Sequence, residues 1–185
     1  MRVITGSARG RRLKQLEGLE TRPTTGRVKE AVFSILQFDI EGRRVLDLFA
    51  GTGQLGIEAL SRGAASAVFV EKRRDAANLI RENLKLTELT ARARVVGGEA
   101  EAFLAGCRER FDLIFLDPPY AAGLLEGALE MISRFDILAN HGIMVCESPA
   151  ERELTDLPAP YSKHRVYHYG KTRITTYHRE EDVER

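Results

Sequence analysis

At 185 residues, 43% hydrophobic and 30% charged, the chain has the size of a single α/β core with a short appendage. It carries no apolar run long enough to span a membrane and no signal-peptide block at its start, so a cytoplasmic protein without a membrane partner is expected. Cys107 and Cys146 lie far apart and the four histidines show no ligand spacing, which excludes a disulfide framework and a zinc motif; no metal is expected, and both thiols are expected to be reduced and buried.

The formal net charge of +1 hides an asymmetry. Met1 to Leu16 carries Arg2, Arg9, Arg11, Arg12 and Lys14, with no acid before Glu17. The stretch from Tyr161 to Arg179 carries Lys163, Arg165, Lys171, Arg173 and Arg179, again without an acid, while residues 99–156 are acid-rich. Basic segments that also hold tyrosines fit contact with phosphates and bases. They fit equally a pair of solvated strands whose charges block edge pairing.

In chain order, the first core signal is Arg44-Val45-Leu46-Asp47-Leu48-Phe49-Ala50, followed by Gly51-Thr52-Gly53-Gln54-Leu55-Gly56 and a helix over Gln54 to Ser61. This reads strand, glycine turn, helix. Glycines at 51 and 53 allow a sharp turn and close approach of a ligand, and the helix start points free N–H groups at whatever is bound. A second apolar strand, Ala67 to Val70, ends at Glu71, placed to accept hydrogen bonds from ribose hydroxyls. Gly51, Gly53 and Gly56 also satisfy a dinucleotide pattern. Asp47 weighs against that reading: its charge would face a pyrophosphate, whereas it would attract the cationic amino-acid end of S-adenosylmethionine.

A polar-faced helix is predicted over Arg73 to Leu86, then a third strand, Ala93 to Val96, and a helix opened by Gly98-Glu99-Ala100. The fourth strand, Phe111 to Leu116, runs straight into Asp117-Pro118-Pro119-Tyr120. Two prolines end the strand and fix the backbone direction, so the Asp117 carboxylate, the Pro118 carbonyl and the Tyr120 ring can converge on one small volume. That volume suits a flat base with an exocyclic amine: two oxygens for its two N–H donors, and a ring for stacking. A helix over Leu124 to Ser133, a fifth strand over His141 to Glu147, and a hairpin of Lys163 to Tyr169 with Thr172 to Tyr177 complete the chain. Strands alternating with helices predict a parallel sheet covered on both faces.

Asp-Pro-Pro-Tyr resembles the motif of methyltransferases that alkylate exocyclic amines with S-adenosylmethionine, and the element order resembles their class I, Rossmann-like fold: a seven-stranded, mostly parallel sheet with the last strand antiparallel. The opening Arg2-Val3-Ile4-Thr5-Gly6-Ser7-Ala8-Arg9-Gly10-Arg11-Arg12-Leu13 and the segment from Thr21 to Leu36, with Asp47 to Gly53 and the Asp117 strand, resemble the RsmD family of 16S rRNA guanine-N2 methyltransferases. Gly26 and Glu99 depart from the usual family pattern.

The resemblance implies residues 1–40 as a basic, RNA-contacting extension and 41–185 as the catalytic domain. It implies Asp117, Pro118, Pro119 and Tyr120 as the catalytic group, and Asp47, Phe49, Gly51, Gly53, Glu71, Lys72, Glu99 and Ala100 around the cofactor. Arg9, Arg11, Arg12, Arg22, Thr24 and Arg27 are implied on the RNA. The expected partner is 16S rRNA within the small ribosomal subunit, met by a monomer. Three other readings stay open: an adenine-N6 enzyme acting on DNA or RNA, a methylase of protein glutamine amides, and a non-catalytic assembly factor on the same fold.

Overall fold

The computed structural model describes residues 1–16, 26–120 and 123–181. Helix α1 (Gly26–Ile35) leads into β1 (Arg44–Asp47), α2 (Gln54–Ser61), β2 (Ser66–Glu71), α3 (Arg74–Leu86), β3 (Ala93–Gly97), α4 (Ala100–Gly106), β4 (Phe111–Leu116), α5 (Leu124–Phe135), β5 (Leu138–Pro149), β6 (Tyr161–Tyr169) and β7 (Thr172–Arg179). The strands form one sheet in the order β3-β2-β1-β4-β5-β7-β6. The five strands from β3 to β5 run parallel, and β7 is antiparallel to both β5 and β6. The expected sheet with its last strand reversed is the one observed.

Burial explains the apolar strands. In β4, Leu113 and Phe115 enter one core, while Ile114 and Leu116 enter the core on the other face. A strand covered on both sides by helices has no solvent face, hence its near-continuous hydrophobic run. In α3 only Ala76, Ala77, Ile80, Asn83 and Leu84 are buried, a single stripe at helical spacing, which is why the rest of that helix is polar.

Some boundaries differ from the sequence expectation. β1 stops at Asp47, because the chain turns there beneath α2, although the Leu48 and Ala50 N–H groups still donate to Phe115 and Val70 at 3.2 and 3.0 Å. β5 begins at Leu138, before the expected His141, and accommodates a register irregularity opposite β4 where His141 takes a φ of 58°. Cys146 is buried as expected, but Cys107 is only partly so, since it sits where α4 ends at the surface.

Residues 1–16 fold back on themselves, with the Val3 N–H donating to Arg11 and the Gly10 N–H to Val3, and dock on α2. The docking is close: a Cβ on Gly6 would lie 1.8 Å from the Ser61 carbonyl oxygen. Ser7 and Ala8 donate their N–H groups to the Ser61 carbonyl and hydroxyl, at 2.8 and 3.0 Å. Val3, Ala8, Leu13, Val28, Val32, Phe33 and Leu36 share one buried cluster with Val45, Ile57 and Phe115, so the described part of 1–40 packs in the same core as the sheet.

The node of this docking is Glu58. Its carboxylate is fully buried and accepts hydrogen bonds from the Ile4 and Thr5 N–H groups at 2.8 and 2.9 Å, and from Arg62 Nε at 2.9 Å. It also pairs with the equally buried Lys29 Nζ at 2.9 Å. Burial works to raise the Glu58 carboxyl, but Lys29 and the Ile4 N–H outweigh it and hold the group below its ordinary range; burial lowers Lys29 in spite of its partner. Removing one member of such a pair leaves the other charge uncompensated. Glu58→Ala is therefore expected to cost about 3–5 kcal/mol in urea unfolding. The double change Glu58→Met with Lys29→Met recovers only part of that loss, because the Ile4 and Thr5 N–H groups still lack an acceptor.

Candidate active site

In an open parallel sheet, ligands bind beyond the carboxyl ends of the strands where the strand order reverses. Here that point falls between β1 and β4, and the residues that close those strands are Asp47 and Asp117. A cavity of about 650 Å³ opens there, within the range typical of small-molecule sites.

Its cofactor-facing wall is the β1–α2 turn. Gly51 takes a φ of 56° and donates its N–H to Glu71 Oε2 at 2.9 Å, while the Arg73 N–H donates to Glu71 Oε1 at 2.8 Å. Glu71 thus fixes the glycine loop as well as facing the cavity, a role its spacing in the sequence did not reveal. Gly53 caps α2 at a φ of 82° without lining the cavity, and Gly56 is required by packing, since a Cβ there would meet the Phe69 ring at 2.3 Å. Phe49, Lys72, Glu99 and Ala100 line the same cavity. Lys72 Nζ lies 3.9 Å from Glu99 Oε1 and both side chains are largely exposed.

Asp47 is 2% exposed and accepts the Gly56 N–H at 3.0 Å, in the first turn of α2. Burial pushes its carboxyl up to about 7; the Gly56 hydrogen bond opposes the rise, and the charges of Asp117 and Glu71 add to it. Across the switch point, Asp117, Pro118, Pro119 and Tyr120 line the cavity, with the Tyr120 ring 47% exposed at the mouth. The structure therefore gathers the residues proposed for cofactor and for base around one opening, Gly53 excepted.

Two lining residues were not singled out in the sequence. Gln54, at the start of α2, lines the cavity and holds its Oε1 buried without a hydrogen-bond partner among the described residues. Glu147 is 8% exposed and closes the apolar run of β5. Its signal was available: an acid directly after an apolar run, the pattern that marks Asp47, Glu71 and Asp117.

The family model described as Conserved hypothetical protein 95 matches residues 1–178. Ribosomal RNA small subunit methyltransferase D of Escherichia coli K12 is 38% identical over 180 residues, covering 97% of this chain and 90% of the relative. The chain belongs to the RsmD family. YlbH of Bacillus subtilis, named as a candidate rRNA methyltransferase, is 42% identical over 96% of this chain and 98% of its own length. Among solved structures, yhhF of Escherichia coli, described as a candidate methyltransferase, superposes with a TM-score of 0.88 at 39% identity, covering 97% of this chain and 98% of that one.

Of the residues that RsmD membership suggests for RNA, Arg22 and Thr24 lie outside the described residues. Arg9, Arg12 and Arg27 are exposed. Arg11 is not a cation without an acid: Nη2 pairs with Glu88 at 2.7 Å and Nη1 donates to the Leu86 carbonyl at 2.6 Å. Lys14 likewise meets Glu82 at 2.8 Å. The sequence showed no acid nearby because these partners sit on and just after α3, about seventy residues downstream. Arg11 thereby ties the N-terminal segment to the end of α3, which corrects the expectation that no acid lies near it. Among the described residues no group of three acids, histidines or cysteines is placed to hold a metal, and no helix is long and apolar enough to cross a membrane.

The raised Asp47 carboxyl has a consequence for stability. Between about pH 4 and 7 the folded state holds a proton that the unfolded chain has released, so this group's contribution to stability falls as pH rises across that window. Asp47→Asn keeps an acceptor for Gly56 and removes the charge. The variant should be stabilised relative to wild type in the absence of ligand, by a margin that grows by on the order of 2 kcal/mol from pH 5 to pH 8. Denaturant melts at the two pH values check this, and a margin that stays constant contradicts it.

Proposed function

We propose that this chain transfers the methyl group of S-adenosylmethionine to the exocyclic N2 amine of a guanine in 16S ribosomal RNA, acting in the cytoplasm as a monomer on the small ribosomal subunit. The observation that carries the reading is that Asp117 and Tyr120 open into the same cavity as Asp47, Gly51 and Glu71. A base presented to the first set lies against whatever the second set holds. RsmD membership along nearly the whole chain, and a small-subunit rRNA methyltransferase among its relatives, support the same substrate.

The residues fit the cofactor. Gln54 Oε1 and the Asp47 carboxyl are acceptors for an ammonium group. Each Glu71 oxygen already takes one backbone N–H and, with about two lone-pair sites per oxygen, keeps capacity for a ribose hydroxyl. When bound, S-adenosylmethionine supplies a methyl group already activated by its sulfonium.

The protein's task is the nucleophile, because the N2 lone pair of guanine is delocalised into the ring. Asp117 and the Pro118 carbonyl grip the two N–H groups, turn the lone pair toward the methyl, and favour the pyramidal nitrogen that attack requires. The Asp117 carboxylate then stabilises positive charge growing on nitrogen and, once the N–CH3 bond has formed, accepts the released proton or passes it to water. Tyr120, at the cavity mouth, stacks on a base turned out of its helix or loop.

Incubation with methyl-labelled S-adenosylmethionine and separate samples of unmodified small subunits, DNA and bulk protein tests the proposal. Label confined to guanine N2 of 16S rRNA is expected; label in DNA adenine or protein glutamine overturns it. Asp117→Ala should abolish transfer while leaving cofactor affinity largely unchanged, since its carboxylate acts on the base. Glu71→Ala should weaken cofactor binding by about tenfold to a hundredfold in calorimetry, through the ribose contacts and the released Gly51 loop.

For RNA, Arg9→Ala with Arg12→Ala should flatten the plot of log affinity against log salt by roughly 0.7 to 0.9 per lost phosphate contact. Arg11→Ala should leave that slope nearly unchanged. Filter binding at several salt concentrations distinguishes the two.

A further inference from the structure

The acids at the strand tips stand in a row. Across the sheet, β2, β1, β4 and β5 are successive neighbours; Glu71 and Asp47 end their strands, Asp117 follows β4 and Glu147 lies two residues before the end of β5, all four lining one cavity. The first two belong to the cofactor half and Asp117 stands in the middle. Glu147 is on the far side. With neighbouring strands about 4.8 Å apart, it lies roughly 10 Å along the sheet from β1 and roughly 14 Å from β2, on the base side of Asp117.

Register makes the last pair adjacent. Leu116 of β4 is opposite Cys146 of β5, so Asp117 and Glu147 follow side by side where the two strands reach the cavity. Alternation along β5 turns Glu147 away from the core face that holds Cys146, toward the face of Val145 and, across in β7, Ile174. The result is a carboxylate only 8% exposed beside the residue proposed to hold the reacting amine. A carboxylate offers about four lone-pair sites, so Glu147 keeps capacity for an N–H of the base beside its contacts within the protein.

Guanine carries two kinds of donor on one edge. Beside the N2 amine lies N1–H, so a base whose amine is held by Asp117 presents N1–H to the next acceptor along that edge. Adenine presents a lone pair at the corresponding N1, which a carboxylate would repel. We propose that Glu147 is a specificity-determining residue that accepts the N1–H of the target guanine while Asp117 holds its N2 amine. This inference rests on the methyl-transfer reading above. It adds what Asp-Pro-Pro-Tyr cannot supply, a means of telling the two aminopurines apart.

The test uses small subunits reconstituted with 16S rRNA bearing either guanine or 2-aminopurine at the target position. 2-Aminopurine keeps the N2 amine but has an acceptor at N1. Wild-type protein should favour guanine in kcat/KM by about tenfold to a hundredfold, the worth of one charge-assisted hydrogen bond. In Glu147→Gln, whose amide can donate to the N1 lone pair, the preference should collapse to within about threefold or reverse, with cofactor affinity unchanged. Glu147→Asp keeps the acceptor and should keep the preference at a lower kcat/KM.

Equal use of the two bases by the wild type overturns the assignment without any variant being needed. So does a preference that survives intact in Glu147→Gln, which is what a purely structural strut would give. Absence of any transfer to guanine-bearing subunits by the wild type would instead strike the methyl-transfer reading itself, so the two failures are distinguishable.

Discussion

Burial, with the charges of Asp117 and Glu71, raises the Asp47 carboxyl to about 7; the Gly56 N–H at the start of α2 opposes the rise, and a cationic ligand in the cavity would oppose it further. Six acids line the cavity, Asp47, Glu71, Glu99, Glu101, Asp117 and Glu147, against the two cationic side chains of Lys72 and Arg73. Glu71 settles by accepting two backbone N–H groups, and Gln54 leaves an acceptor without a donor. Carboxylates at neighbouring strand tips repel one another until a cationic ligand arrives, and the free energy released when it does is binding energy. A dinucleotide would add its pyrophosphate to that repulsion. This is the physical reason why a glycine pattern common to both ligand classes resolves here toward a sulfonium.

Helix α2 couples the two halves of the task. Its first turn answers Asp47 and borders the cavity; its second half carries Glu58 and Ser61, which hold Ile4, Thr5, Ser7 and Ala8. Eight residues therefore position both the cofactor loop and the basic opening segment. Arg62 extends the same connection to α1, lying 4.7 Å over the Phe33 ring while its Nε donates to Glu58. Buried ion pairs such as Lys29–Glu58 are weak contributors to net stability, but a carboxylate that accepts from three separate parts of the chain permits only one docking of the segment, and that is where its value lies.

The strands, the glycine turn and the acid before Pro118 were legible because each is specified locally: a covered parallel strand must be apolar throughout, a φ of 56° favours glycine, and two prolines end a strand. The pairing of Arg11 with Glu88 was not legible, because charge runs along the sequence say nothing about acids some seventy residues away that the fold brings alongside. Nor was the role of Glu58, an acid inside a helix whose burial depends on the N-terminal segment docking over it. Glu147 falls between the two cases. Its position after an apolar run was readable, but its adjacency to Asp117 needs the β4–β5 register.

An acid-lined cavity that must receive part of a polyanion poses a further constraint. Phosphates are repelled from a cavity lined by six carboxylates, and at physiological salt the repulsion is screened only beyond about 8 Å. The arrangement answers this by separation: exposed Arg9, Arg12 and Arg27 do not line the cavity, whereas the acids do. Binding of the cationic cofactor lowers the negative potential of the rim. Once the methyl has moved to the guanine, the demethylated cofactor is a neutral thioether that no longer carries the sulfonium charge, so the rim is more negative again, which favours release of the RNA.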